Sequence, residues 1–188
     1  MNQNPSLHYG SSSYFATLER SLAAMFGLEF LRSGQHTIRD SKGWRDNEQN
    51  IQYIWLVVIA RSSGLCGGVF GIKYNQNKFR NHPNPAELVE GVFTCAPEGI
   101  GQVHINRAPD STFDVNQVFN LSLFNASPNL TLGGVSYNVG VYASNIKSFI
   151  QVSNPSSPDW NKWQQEIWNM GRRLAAQSNN AALIQLLT

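Results

Sequence analysis

Charged residues are scarce in this chain of 188 residues: Asp, Glu, Lys and Arg make up 14% of it, against about 25% in typical soluble domains. The 14 basic and 12 acidic side chains nearly cancel and leave a formal charge of +2. So small a charge excludes a protein that holds a polyelectrolyte mainly by long-range attraction. Amides, hydroxyls and glycine replace the missing charge, which favours a surface that repels its neighbours weakly.

Long hydrophobic runs are also lacking. The longest, Ile54–Ala60, is far shorter than the ~20 residues that a membrane-spanning helix needs. The opening residues Met1–Pro5 have neither the basic nor the apolar region of a signal peptide. We therefore expect a protein without membrane contact, in the cytoplasm or within an assembled particle. With 41% hydrophobic residues, the chain can bury a core as a single domain over residues 1–188.

The motifs of common enzyme chemistries are missing as well. The four histidines stand at positions 8, 36, 82 and 104, without the spacing of metal ligands, so no metal site is expected. Neither a P-loop nor a dinucleotide-binding glycine motif occurs, so no cofactor is expected. An enzyme is therefore the less favoured interpretation.

A helix is predicted near the start, over residues 13–32, after a polar arm of residues 1–12. Its apolar residues recur at helical spacing. Gly27 is a plausible end point, and the alternative for the second half is a hairpin of Leu28–Arg32 with Gln35–Asp40. The continuous helix is the preferred interpretation.

Residues 51–152 carry a strand pattern. Within Ile51–Arg61 an apolar run is typical of a strand buried on both faces. Short strands separated by Gly, Pro, Asn and Ser turns favour an antiparallel meander of about six strands over parallel units. The strands expected after the first are Cys66–Tyr74, Glu87–Cys95, Gly101–Arg107, Phe113–Asn125 and Leu130–Ala143, with Phe149–Val152 closing the sheet.

The C-terminal region, residues 158–187, is predicted to be an amphipathic helix with an apolar tail. Ser157 can cap the helix, Pro158 suits its first position, and Asp159 lies near the positive end of the helix dipole. The apolar stripe, which is predicted to pack on the sheet, consists of Trp160, Trp163, Ile167, Met170 and Leu174. The fold class is α+β, an antiparallel sheet with a helix from each end of the chain packed on it.

The two cysteines lie on strands that are expected to be neighbours. If Tyr74 faces Glu87, the register places Cys66 directly opposite Cys95. Cβ atoms in such positions are about 4.5–5.5 Å apart, close to the reach of a disulfide. A Cys66–Cys95 disulfide is thus a candidate, whereas two reduced thiols are the preferred interpretation for a cytosolic protein.

Gly64-Leu65-Cys66-Gly67-Gly68 resembles the Gly-x-Cys-Gly-Gly nucleophile loop of picornavirus-like cysteine proteases, in which backbone amides face an oxyanion. In that family the histidine base precedes the cysteine within a complete β-barrel, and too little chain precedes Cys66 for such a barrel. No family is therefore assigned. A cysteine hydrolase with Cys66 as nucleophile and His104 as base is kept as an alternative function.

Two segments are candidates for binding. The first interleaves cations with aromatic rings, a composition that can neutralise phosphates and stack on unpaired bases, although an exposed basic loop is the preferred interpretation. A subunit that binds RNA or single-stranded DNA would use Lys73, Tyr74, Lys78, Phe79, Arg80 and His82. The second is a partner-binding surface at the end of the chain, made of Trp168, Leu183, Leu186 and Leu187. For this second segment, a tail folded back on its own domain is an equal alternative.

The function predicted from these patterns is that of a non-catalytic structural or interaction subunit. Low surface charge, apolar terminal elements and the lack of a convincing catalytic set favour packing within a larger assembly, such as a virus- or phage-like particle or a multi-subunit complex. Its partners would be other protein subunits or further copies of itself.

Overall fold

The computed structural model describes residues 12–38, 47–77, 87–108, 134–144 and 146–188. In these residues the helices are α1 (Ser12–Met25), α2 (Pro158–Ser178) and α3 (Ala181–Leu187). The strands are β1 (Gly34–Ile38), β2 (Asn47–Arg61), β3 (Cys66–Asn77), β4 (Glu87–Ala96), β5 (Gly99–Ala108), β6 (Val135–Ala143) and β7 (Ile146–Ser153). None of the described helices is both long enough and apolar enough to cross a membrane.

The strands form one antiparallel sheet in the order β5-β4-β3-β2-β6-β7, with β1 paired to β2 as a seventh strand. The α+β class, the antiparallel sheet and the packed helices are thus confirmed. Consecutive strands pair from β1 to β5, but β6 pairs with β2 rather than with β5, so the simple meander ends at β5. Residues 113–125, predicted to be a strand, lie outside the described residues.

The central strand β2 explains why the sheet has two covered faces. Its residues from Ile54 to Ile59 are all buried, and alternate side chains point to opposite faces. The prediction of a strand buried on both faces is therefore confirmed. Ile54, Leu56 and Val58 pack in the cluster that contains α1, whereas Trp55, Val57 and Ile59 pack in the cluster that contains α2 and α3.

The first helix ends at Met25, so its preferred extension to residue 32 is wrong. Gly27 adopts a left-handed conformation with φ of 65°. Its amide donates to the carbonyl of Ala24 at 3.0 Å, and the amide of Leu28 donates to that of Ala23 at 2.9 Å. These two bonds form a Schellman motif, which satisfies the last carbonyls and turns the chain away.

The alternative hairpin over residues 28–40 is not formed either. Strand β1 pairs with β2, with Gly34 opposite Ile51 and Ile38 opposite Asn47. The long strand β2 extends beyond β6 at this end and leaves a row of backbone groups to be paired. Residues 34–38 therefore pair with the edge of β2 instead of with residues 28–32, the partner in the predicted hairpin.

The C-terminal region forms two helices. Ser157 caps α2, accepting a hydrogen bond from the amide of Trp160, and Pro158 occupies its first turn. Asn179 has φ of 52° and ends α2, and the side chain of Asn180 caps α3. This turn places α3 beside α2 on the same face of the sheet.

Candidate functional site

The structure joins Cys66 to Cys95 as a disulfide, with 5.2 Å between the two Cα atoms. The expected register is the one observed, since Tyr74 faces Glu87 and Gly67 faces Thr94. In the bonded state Cys66 offers no thiolate.

His104 is also distant from Cys66. It pairs with Val92, which in turn pairs with Val69, so it lies two strands away and three residues along. Strand geometry puts the two Cα atoms about 14 Å apart. A base at that distance cannot take a proton from the sulfur, so no observation favours the hydrolase alternative.

The basic-aromatic segment is described only in part. Lys78, Phe79, Arg80 and His82 lie outside the described residues. Lys73 and Tyr74 belong to β3, and the Lys73 ammonium lies 5.8 Å from the centre of the Tyr53 ring. Nucleic-acid binding by this segment stays a prediction.

The expected partner surface at the end of the chain is not assembled. Leu183, Leu186 and Leu187 are buried in the chain's own core, so the prediction that they face a partner is wrong and the folded-back tail is the arrangement observed. The reason is the turn at Asn179, which directs the apolar side of α3 at the sheet. Trp168 is half-buried, and its indole donates to the Tyr137 hydroxyl at 2.8 Å.

A cavity lies where the edge of β2 passes from pairing with β6 to pairing with β1. β6 pairs with β2 from Tyr53 onward and β1 pairs with it up to Ile51. The Ser33 hydroxyl joins the two partners by donating to the Ser144 carbonyl at 2.7 Å. Helix α1 and residues 28–33 enclose a pocket of about 560 Å³ beside this junction. Its lining consists of Ala16, Glu19, Arg20, Phe30, Leu31, Arg32, Ser33, Tyr142, Ser144, Ile146 and Lys147.

Positive charge is concentrated in this pocket. Arg20, Arg32 and Lys147 line it against a single carboxylate, that of Glu19, and this surplus of two equals the formal charge of the whole chain. Among the described residues, none of the three cations forms an ion pair within 4.0 Å. The pocket is therefore the part of the described molecule best suited to attract an anion.

Two opposing effects act on the pKa of the Glu19 carboxyl. The Tyr142 hydroxyl donates a hydrogen bond to its Oε1 atom. Burial raises the pKa of Glu19 because it disfavours the charged form, and the Lys147 ammonium partly opposes that rise. The Lys147 ammonium also lies 5.2 Å from the centre of the Tyr142 ring. Glu19 therefore takes up a proton at a higher pH than an ordinary glutamate.

Apolar side chains are exposed around the mouth of the pocket. Phe30 is 39% exposed, Ile146 64% and Phe149 46%. Phe30 and Ile146 line the pocket. On β7, Phe149 points to the same face as Lys147, whereas Ile146, which pairs with Ala143 at the start of the strand, points to the face of Ile150 and Val152. Phe149 packs edge-on against Phe15, with the ring centres 4.9 Å apart. We call Phe30, Ile146 and Phe149 the apolar rim.

Gly140 allows this arrangement of the two rings. It pairs with Phe149, and a Cβ atom on it would lie 2.7 Å from the Phe15 ring. The absence of a side chain lets Phe15 lie directly on the strand. Strand β6 thus contacts both the Phe15–Phe149 pair, through Gly140, and the pocket, through Tyr142.

Three buried polar residues, His36, Glu90 and Asn138, lie outside the pocket lining. Glu90 is 3% exposed and pairs with Arg173 of α2 at 3.2 Å, which ties the helix to β4. Asn138 is fully buried on β6, and neither atom of its amide has a hydrogen-bond partner in the part of the chain that the structure describes. The same residues contain no group of three His, Cys, Asp or Glu side chains that could hold a metal ion.

The sequence analysis did not find this pocket. Its cations come from α1, from the segment after α1 and from β7, and no short motif links them. The signal in the sequence is that Phe30 and Arg32 follow Gly27, the plausible helix end. A helix that ends there places these two residues in a separate segment, opposite Arg20 on α1.

Comparisons with known proteins do not indicate a function for this chain. The chain matches no protein-family model, no curated protein and no solved structure. The fold and the pocket are therefore interpreted from their own residues, without a relative to supply roles.

Proposed function

We propose that this chain is a non-catalytic interaction subunit that packs against further protein subunits of a larger assembly through its apolar rim. The observation that supports this is the exposure of three large apolar side chains, Phe30 and Ile146 in the pocket lining and Phe149 on the edge strand β7. Contiguous apolar surface is typical of protein–protein contacts, whereas single exposed residues are ordinary.

The position of the rim on the sheet supports the same proposal. Among the described strands β7 is an end strand, since the observed order runs from β5 to β7. Helix α1 contacts this edge through Phe15, and its polar anchor lies in the turn between β4 and β5. The Tyr14 hydroxyl of α1 donates to the Ala96 carbonyl at 2.5 Å and to the Gly99 carbonyl at 3.2 Å.

The residues of the pocket favour binding over catalysis. Its ionisable groups are one carboxyl, one phenol and three cations, and the hydroxyls of Ser33 and Ser144 have no histidine among the lining residues to activate them. The nearby His36 is buried, and its Nε2 atom is bonded to the Arg32 carbonyl at 2.8 Å. Among the described residues at this pocket, no nucleophile is therefore paired with a general base.

Sedimentation velocity of the pure chain over a wide range of concentration tests the proposal, with a second copy as the simplest partner. We expect the sedimentation coefficient to rise with concentration. The double variant Ile146→Ser, Phe149→Ser should remove that rise, since it replaces the two most exposed rim residues.

Ile184→Ser is the matched control. Ile184 is 41% exposed but lies on α3, which covers the face of the sheet opposite α1, so its loss should leave association unchanged. A wild-type chain that stays monomeric at every concentration would contradict the proposal. Equal association of the rim variant would contradict it as well.

A further inference from the structure

We propose that the basic pocket binds a small organic monoanion, a carboxylate attached to a short apolar or aromatic body. This inference goes beyond association through the rim and does not depend on it, because the ligand is a small molecule held inside the pocket. It rests on the coincidence of three cations that have no described ion-pair partner with an apolar wall in one cavity.

The two guanidinium groups supply the recognition of the head group. The Arg20 Nη2 atom donates to the Thr17 hydroxyl at 3.2 Å, which holds the side chain along α1 and leaves further N–H groups for a ligand. The Arg32 guanidinium lies 4.3 Å from the centre of the Phe30 ring. Stacking of this kind fixes the plane of a guanidinium while its edge remains able to bind a carboxylate through two parallel hydrogen bonds.

The walls of the pocket indicate that the part of the ligand beyond its charged head group is apolar. Ala16, Phe30, Leu31 and Ile146 contribute apolar surface, so a purely inorganic anion would leave this part of the pocket in contact with water. The volume of about 560 Å³ lies in the range of about 300–1,000 Å³ that is usual for small-molecule sites. An aromatic or branched acid satisfies both the cations and the wall.

Glu19 makes the affinity depend on pH. Its carboxylate repels an incoming anion when ionised and stops doing so when protonated. The charged or titratable groups around it are Arg20 on α1, Arg32 in the segment after α1, Lys147 on β7 and Tyr142 on β6, with His36 beside Phe30 at 6.0 Å between ring centres. Lowering the pH through the raised pKa of Glu19 should therefore tighten binding.

Titration calorimetry of the full chain with benzoate, benzamide and inorganic phosphate tests the site. Benzoate should bind with a single saturable site, and benzamide, its neutral counterpart, should bind about tenfold more weakly or worse, since it lacks the charge-assisted hydrogen bonds. Phosphate should bind more weakly than benzoate because it has no apolar body. Equal affinity for benzoate and benzamide, or no binding of benzoate, would overturn the proposal.

Variants of the chain locate the site. Arg32→Gln and Arg20→Gln should each weaken benzoate binding by about tenfold, whereas Lys162→Gln, an exposed cation on α2, should change nothing. Glu19→Gln keeps an acceptor for the Tyr142 hydroxyl, and it should tighten binding at neutral pH and flatten the pH dependence. A pH dependence that survives in Glu19→Gln would overturn the role of Glu19. Unchanged affinity in both arginine variants would place benzoate elsewhere.

Discussion

The face of the sheet under α2 and α3 is closed, whereas the face under α1 is covered only in part. α2 has 21 residues and α3 has 7, against 14 in α1. On the face under α2 and α3, Trp160, Trp163 and Leu186 are buried, and on the face under α1, Phe30 and Phe149 remain exposed near the pocket. The comparison teaches that one face supplies packing stability, while the other keeps the surface on which a partner or ligand can bind.

The contacts of α1 reach from the turn between β4 and β5 to strands β6 and β7. The hydroxyls of Tyr14 and Ser21 bond carbonyls in the turn that joins β4 to β5. Toward β6 and β7, the described polar contact of α1 is the hydrogen bond between Glu19 and Tyr142. The helix also reaches β6 and β7 through Phe15 and Glu19, and the pocket lies beside this part of α1.

The largest loss of stability is expected when a buried leucine is removed from the face under α2 and α3. Leu186→Ala should lower the free energy of unfolding by about 2–5 kcal/mol, the range for a leucine deleted from a packed core. The Leu186 side chain lies directly on Gly67 of β3, where an added Cβ would be 2.1 Å from its Cδ2 atom, so the site cannot collapse easily. Urea denaturation measures the loss.

Two controls sharpen this result. Ile184→Ala, on the same helix, and Ile146→Ala, on the apolar rim, remove exposed apolar groups and should each change the stability by less than about 0.5 kcal/mol. A loss at Ile146 as large as that at Leu186 would show that the rim is part of the packed core.

An effect similar in size to that of Leu186→Ala is expected from the disulfide, which lies in the cluster that contains α1. It links residues 29 positions apart, and a loop of that length corresponds to about 3.6 kcal/mol through its restriction of the unfolded chain. Reductant should therefore lower the unfolding midpoint of the wild-type chain. The double variant Cys66→Ala, Cys95→Ala should start lower and show no response to reductant. A wild-type midpoint that ignores reductant, with both thiols then alkylated, would contradict the expectation.

The smallest effect is expected at Glu19. Its folded pKa is raised by burial, so the folded state binds the proton more tightly than the unfolded state does. Its contribution to stability is therefore greatest at low pH and falls as the pH rises from the ordinary glutamate pKa of 4.5 through the raised pKa. Glu19→Gln should produce a small gain in stability at neutral pH and none in acid. Thermal unfolding at several pH values measures this difference, and a loss at neutral pH would contradict the sign.

Local patterns predicted the elements that depend on neighbouring residues. The cap at Ser157 and Pro158 predicted the start of α2, and the alternation with turn residues predicted β2 to β5 and the register that joins Cys66 to Cys95. The predictions were wrong where contacts with a segment distant in sequence determine the structure. β1 pairs with β2 rather than forming a hairpin, and α3 packs under the sheet rather than facing a partner.

The sequence by itself determined the α+β class, the two-sided burial of the central strand and the positions of the caps, because these follow from side-chain periodicity and local hydrogen bonding. The tertiary structure alone decided the pocket and the apolar rim. Arg20, Arg32 and Lys147 have no common spacing in the chain, and they meet because β1 and β6 share one edge of β2 while α1 reaches β6 and β7. Contacts between segments far apart in sequence depend on the geometry of the whole sheet, which no local pattern records.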